Sequence, residues 1–132
     1  TIPEDLIKTE IDTCWVRYAG YDPCEYLLKY SGRAPLVHLK DFVCTKKPVA
    51  PVYDLIDGKG NVSKMENRAN DRDESGFMFK PVGMGCQDFP AIIEAAEKAG
   101  SEYLIVEMDS SPEMPALEAV RKSREYLKSL GL

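Results

Sequence analysis

Three residues stand where apolar runs end: Asp12 after Ile11, the chain's single histidine His38 after Leu36-Val37, and Glu107 after Tyr103-Leu104-Ile105-Val106. Two carboxylates and a neutral imidazole suit one borderline divalent ion such as Mn²⁺, Mg²⁺, Co²⁺ or Zn²⁺, with positions left open for a substrate's oxygens. Such an ion polarises a carbonyl as a Lewis acid, and a ligating or neighbouring glutamate can shuttle the proton. Each residue also has a commoner role. A lone strand histidine is more often hydrogen-bonded in a core than bound to metal, and strand-end acids commonly cap the next turn. What sets the three apart is their shared position, because the C-terminal ends of parallel strands face the active site in βα architectures. Lys40 shares the alternation of His38 and is placed either to meet a substrate hydroxyl or phosphate or to pair with a neighbouring acid. Asp41 and Asp109 are expected to secure loops.

The elements that position these residues follow from local patterning. Residues 6–12 alternate, with Ile7, Thr9 and Ile11 on one face and Lys8, Glu10 and Asp12 on the other, which predicts a strand. Trp15, Val16 and Tyr18 lead into a turn at Ala19-Gly20. Asp22-Pro23 is an N-cap followed by proline at the first helical position, and Tyr26, Leu27 and Tyr30 give the helix over 23–30 its apolar stripe. The strand at 36–40 sets Leu36, His38 and Lys40 against Val37 and Leu39. From residue 42 the pattern is irregular, with prolines at 48 and 51, a hairpin expected over 53–62 around Asp57-Gly58, and a mixed-charge run at 66–75. A connection of this length in a compact unit is either an active-site loop or a disordered insert, with the lid the favoured reading. A third strand is expected over 77–82. Gly83-Met84-Gly85 then reads as a tight turn or a weak phosphate loop before a helix capped by Asp88, which buries Phe89, Ile92, Ile93 and Ala96 and stops at Gly100. A fourth strand at 103–108 and a helix over 115–130 complete the chain.

Strands alternating with helices are the grammar of parallel (β/α) units, and four such units amount to half of an eight-stranded TIM barrel, which as a whole takes ~250 residues. The expected organisation is an α/β fold in which residues 1–132 form a single half-barrel segment with an irregular insert at about 43–77. The chain starts at Thr1 without methionine and almost at once inside a strand, as if in the middle of something. An open half leaves two strand edges and apolar surface to be covered. Composition agrees with one soluble globular domain: 132 residues, 44% hydrophobic and 30% charged. The net charge of -5 argues against a nucleic-acid partner, because basic residues are interleaved with acids. No apolar run is long enough for a membrane span and no signal peptide precedes the first strand, so a cytoplasmic location is expected. Cys14, Cys24, Cys44 and Cys86 show no CxxC spacing and are read as buried or partly buried free thiols.

Several motifs occur together in order: Glu10-Ile11-Asp12-Thr13-Cys14-Trp15, Ala19-Gly20-Tyr21-Asp22-Pro23, Gly32-Arg33-Ala34-Pro35-Leu36-Val37-His38-Leu39-Lys40-Asp41, Pro81-Val82-Gly83-Met84-Gly85, Val106-Glu107-Met108-Asp109 and Ser123-Arg124-Glu125-Tyr126-Leu127. With them the chain resembles the sugar phosphate isomerase/epimerase superfamily of xylose-isomerase-like TIM barrels, related to ketose 3-epimerases, inosose dehydratase and hydroxypyruvate isomerase. The resemblance spans nearly all of the chain outside the insert and implies its C-terminal half-barrel. It implies one divalent metal held by a glutamate, an aspartate, a histidine and a final glutamate. The last three fall on Asp12, His38 and Glu107, while the first has no counterpart here. Glu107 would also be one of two acid/base glutamates. Trp15 stands where many members place a substrate-binding histidine, and its indole can stack on a sugar face but cannot accept a proton.

The function implied is proton transfer next to a carbonyl in a sugar or sugar phosphate, by an isomerase or epimerase of which this chain alone is inactive. The implied partner is the missing N-terminal half-barrel or a second copy of the chain. A self-associating fragment without catalysis is the alternative, with an inosose-type dehydratase or an apurinic endonuclease relative behind it.

Overall fold

The computed structural model describes residues 3–44 and 76–132, so the expected hairpin at 53–62, the charged run at 66–75 and the lid built from them fall outside the described residues. A 3-10 turn over Glu4–Leu6 precedes β1 (Glu10–Asp12). Strand pairing thus starts later than the alternation of 6–12 predicts, and Leu6 and Ile7 remain exposed. Directly after β1 comes a helix that the pattern did not announce, α1 (Thr13–Tyr18). It starts there because Asp12 Oδ1 accepts hydrogen bonds from the N–H groups of Cys14 at 2.9 Å and Trp15 at 3.2 Å, satisfying donors that a helix start leaves orphaned. Asp22 caps α2 (Pro23–Lys29) in the same way, as expected. The remaining elements are β2 (Leu36–Leu39), β3 (Asp41–Val43), β4 (Met78–Lys80), α3 (Phe89–Ala99), β5 (Tyr103–Val106) and α4 (Ala116–Ser129).

β1, β2 and β5 form a parallel sheet in that order, with Asp12 beside His38 and His38 beside Ile105. The α/β class is as expected. On one face Ile11, Val37 and Leu39 join Leu27, Phe89, Ile92 and Ala96 in a single core. Each large side chain buried there contributes roughly 1.5–3 kcal/mol. The opposite face carries Glu10, Asp12, Leu36, His38, Tyr103 and Ile105, by alternation from the register. It stays open over Tyr103, 61% exposed, and Ile105, 38% exposed. Parallel sheets ordinarily have both faces covered.

The expected third strand forms but does not join this sheet. β4 pairs antiparallel with β3, Phe42 opposite Phe79, in a separate two-stranded ribbon. Among the described residues the parallel sheet therefore has three strands rather than four. The ribbon is tied down by Asp41, whose side chain is fully buried. Its Oδ1 accepts from Phe42 N–H at 2.9 Å and Gln87 N–H at 3.2 Å, and its Oδ2 from Gly83 N–H at 3.0 Å and Gly85 N–H at 2.8 Å. Burial raises its carboxyl above the ordinary range, while the backbone hydrogen bonds pull it down. The Gly83-Met84-Gly85 turn is thus a cradle for the chain's own carboxylate, which settles its role as a tight turn rather than a phosphate loop. A Cβ on Gly85 would collide with the Asp41 carboxylate and the Phe42 carbonyl, and Gly83 has a φ of +87°. Asp41 secures a loop as expected.

Gly85→Ala is expected to lower unfolding free energy in urea by about 1–3 kcal/mol through overpacking. Asp41→Asn is expected to lower it by a similar ~1–3 kcal/mol, because an amide cannot accept from every N–H it faces. Midpoints equal to the parent's would contradict the cradle.

Candidate metal centre

Asp12 closes β1, His38 is the penultimate residue of β2, and Glu107 follows β5, its N–H donating to Leu39 C=O at 3.2 Å and prolonging the ladder. Parallel pairing sets the three strand ends level, and their ligand atoms all lie within 4.8 Å of one another. All three residues expected to hold a metal are therefore brought together. His38 Nδ1 lies 2.6 Å from Glu107 Oε2 and 3.8 Å from Asp12 Oδ2. The other oxygen of Asp12 is committed to capping α1, so Oδ2 is the atom left for a ligand.

Lys40 enters the same cluster. Its Nζ lies 3.0 Å from Asp12 Oδ2, 2.9 Å from Glu107 Oε2 and 3.3 Å from Asp109 Oδ2. Of the two alternatives for this lysine, the structure shows the pairing with acids, made at the strand ends. Asp109, expected to secure a loop, is found at the site instead. It is drawn to the buried ammonium, a contact that spacing along the sequence does not reveal. Burial disfavours the charge on Lys40, but hydrogen bonds to Glu107 and Asp12 outweigh it and push the ammonium above the usual lysine range. Conversely, the Lys40 hydrogen bond holds the Glu107 carboxyl below the usual glutamate range. Burial and the Asp12 charge push the Cys14 thiol upward, which makes it an inert neighbour.

Trp15 forms one wall. Its ring stacks on Phe77 with centroids 5.6 Å apart and meets Tyr18 and Phe79 edge-on. Lys40 Nζ sits 5.6 Å from the Trp15 centroid and 5.7 Å from that of Phe79, a cation–π arrangement that adds to the ammonium's hold. Trp15 therefore borders the charged cluster through Lys40. Glu10 was not singled out by sequence reasoning as a site residue. Its Oε1 lies 2.9 Å from His38 Nε2, and the available signal was that Glu10 shares the face of Asp12. No disulfide joins the four cysteines, as expected, although Cys86 is exposed rather than partly buried.

The donor set fits a divalent ion, with two carboxylates and an imidazole nitrogen converging from three strands. The Lys40 ammonium shows that the two carboxylate oxygens already gather around positive charge. No described helix is long and apolar enough to cross a membrane.

No family model matches the chain. It is 31% identical to an inosose dehydratase of Clostridium perfringens (strain 13 / Type A) over 134 residues, covering 95% of this chain and 38% of that protein. It is 28% identical to an inosose dehydratase of Geobacillus kaustophilus (strain HTA426) over 130 residues, covering 96% of this chain and 37% of that protein. The chain thus spans less than two-fifths of the length of these relatives. Similarity at this level, along nearly all of the chain, agrees with the resemblance to xylose-isomerase-like barrels.

Lys40→Met is expected to lower unfolding free energy by about 2 kcal/mol at neutral pH, less than the ~3–5 kcal/mol for a fully buried pair because Glu107 and Asp109 are partly solvated. The pH dependence has a definite sign. Lys40, raised when folded, contributes fully below its ordinary 10.5 and less as pH climbs past it; Glu107, lowered when folded, contributes above its ordinary 4.5 and less as pH falls through its folded value. The parent-minus-variant gap in urea should be flat around neutrality and shrink on acidification. A gap that widens in acid would contradict the pairing.

Proposed function

We propose that this chain supplies the metal-holding strand ends of an enzyme that transfers a proton next to the carbonyl of an inosose or related keto sugar, with loss of water the favoured reaction. The observation that carries the proposal is the meeting of Asp12, His38 and Glu107 around one point, with Lys40 among them. Support for dehydration comes from the two relatives, both inosose dehydratases.

Asp12, His38 and Glu107 would hold the ion, which when bound supplies Lewis-acid polarisation of a carbonyl. Glu107, kept ionised by Lys40, is suited to accept the proton from the carbon beside that carbonyl. Loss of the hydroxyl one carbon further on, together with a proton, then releases water, whereas return of the proton would give isomerisation or epimerisation. Lys40 is placed to bind a substrate oxygen, and Trp15 to pack on an apolar sugar face. We further propose that the rest of the protein covers the open sheet face over Tyr103 and Ile105, excludes water, and provides the fourth ligand and a second acid/base group. The exposure of that face supports this.

The test uses the whole protein loaded with Mn²⁺, an inosose in D₂O, and mass spectrometry of the products. Loss of one water is expected, abolished by chelation and slowed about 10²–10⁴-fold by Glu107→Gln. Deuterium gain without water loss would favour an isomerase or epimerase over the dehydratase. Absence of both water loss and deuterium gain would overturn the proposal.

A further inference from the structure

We propose that Glu10 is a positioning residue that holds Nε2 of the His38 ring, so that Nδ1 is the nitrogen offered to a divalent cation; this rests on the metal centre proposed above. A neutral imidazole has one N–H and one lone pair, and the partner of one nitrogen decides the role of the other. Glu10 Oε1 lies 2.9 Å from His38 Nε2, while Nδ1 faces Glu107 Oε2 at 2.6 Å and Asp12 Oδ2 at 3.8 Å. Both ring nitrogens face carboxylates that have no proton to give; a cation seated between Asp12 Oδ2 and Glu107 Oε2 would take the Nδ1 lone pair and leave the ring proton on Nε2, held against Glu10. Glu10 lies outside the ligand set itself, which comprises Asp12, His38 and Glu107.

The backbone makes this arrangement specific. Glu10 and Asp12 share one face of β1, and the register sets Asp12 beside His38 with Glu10 one pleat back, beside Leu36. The imidazole therefore spans two acids of a single strand, with its two nitrogens serving different ones. The Glu10 side chain is 46% exposed, so truncating it leaves the core intact.

His38 is the chain's single histidine, so its two ring nitrogens are read directly in long-range ¹H–¹⁵N spectra of the ¹⁵N-labelled chain. On titration with Zn²⁺, the metal-shifted signal is expected to be Nδ1, with Nε2 protonated. Isothermal titration is expected to give a Zn²⁺ affinity about 10–100-fold weaker in Glu10→Ala, and largely restored in Glu10→Gln, whose amide oxygen still accepts from Nε2–H. Zinc on Nε2, or Glu10→Ala binding as tightly as the parent, would overturn the inference alone. No zinc uptake by the parent chain would overturn the metal centre and the inference together.

Discussion

Everything at the site depends on one constraint, the in-register parallel pairing of β1, β2 and β5. Parallel strands that start level end level, and their side chains keep a common alternation across the sheet. Once Asp12 lies beside His38 and His38 beside Ile105, Glu107 is carried to the same rim by two further residues. A slip of one residue in β2 would send His38 into the core and Val37 to the site. The burial of Val37 and Leu39, both 0% exposed, opposes that slip. Packing on the helix side therefore sets the chemistry on the other side.

The rim then poses a charge problem, because Glu10, Asp12 and Glu107 meet a single imidazole there and Asp109 joins them at Lys40. Lys40 answers it from the same strand as His38, with its ammonium against three of the four acids and aromatic rings alongside. The oxygens it holds are the ones a divalent ion would use, so lysine and metal would share Asp12 and Glu107. In the proposed reaction this sharing keeps Glu107 ionised and leaves a cation ready for a substrate oxygen.

Much of this was legible in the sequence. The helix at Asp22-Pro23 and the one after Asp88 announce themselves through capping chemistry, and β2 through its strict alternation. Asp12, His38 and Glu107 were visible because each ends an apolar run. What stayed hidden needed partners distant in sequence. α1 was missed because Trp15, Val16 and Tyr18 look like strand residues until Asp12 is seen to cap them. β4 has strand chemistry, but alternation alone does not say whether its partner runs parallel or antiparallel. Asp109 and Glu10 enter the cluster only after folding brings Lys40 and His38 to them. The weak phosphate-loop signal at Gly83-Met84-Gly85 dissolves once Asp41 fills that turn.

The most direct measurement is anomalous diffraction at the manganese edge from crystals of the whole protein soaked in Mn²⁺. A single peak bounded by Asp12, His38 and Glu107 is the expected result, with a further ligand from outside this chain. Absence of a peak there, with Lys40 still joining Asp12 to Glu107 and manganese bound elsewhere, would contradict the metal centre.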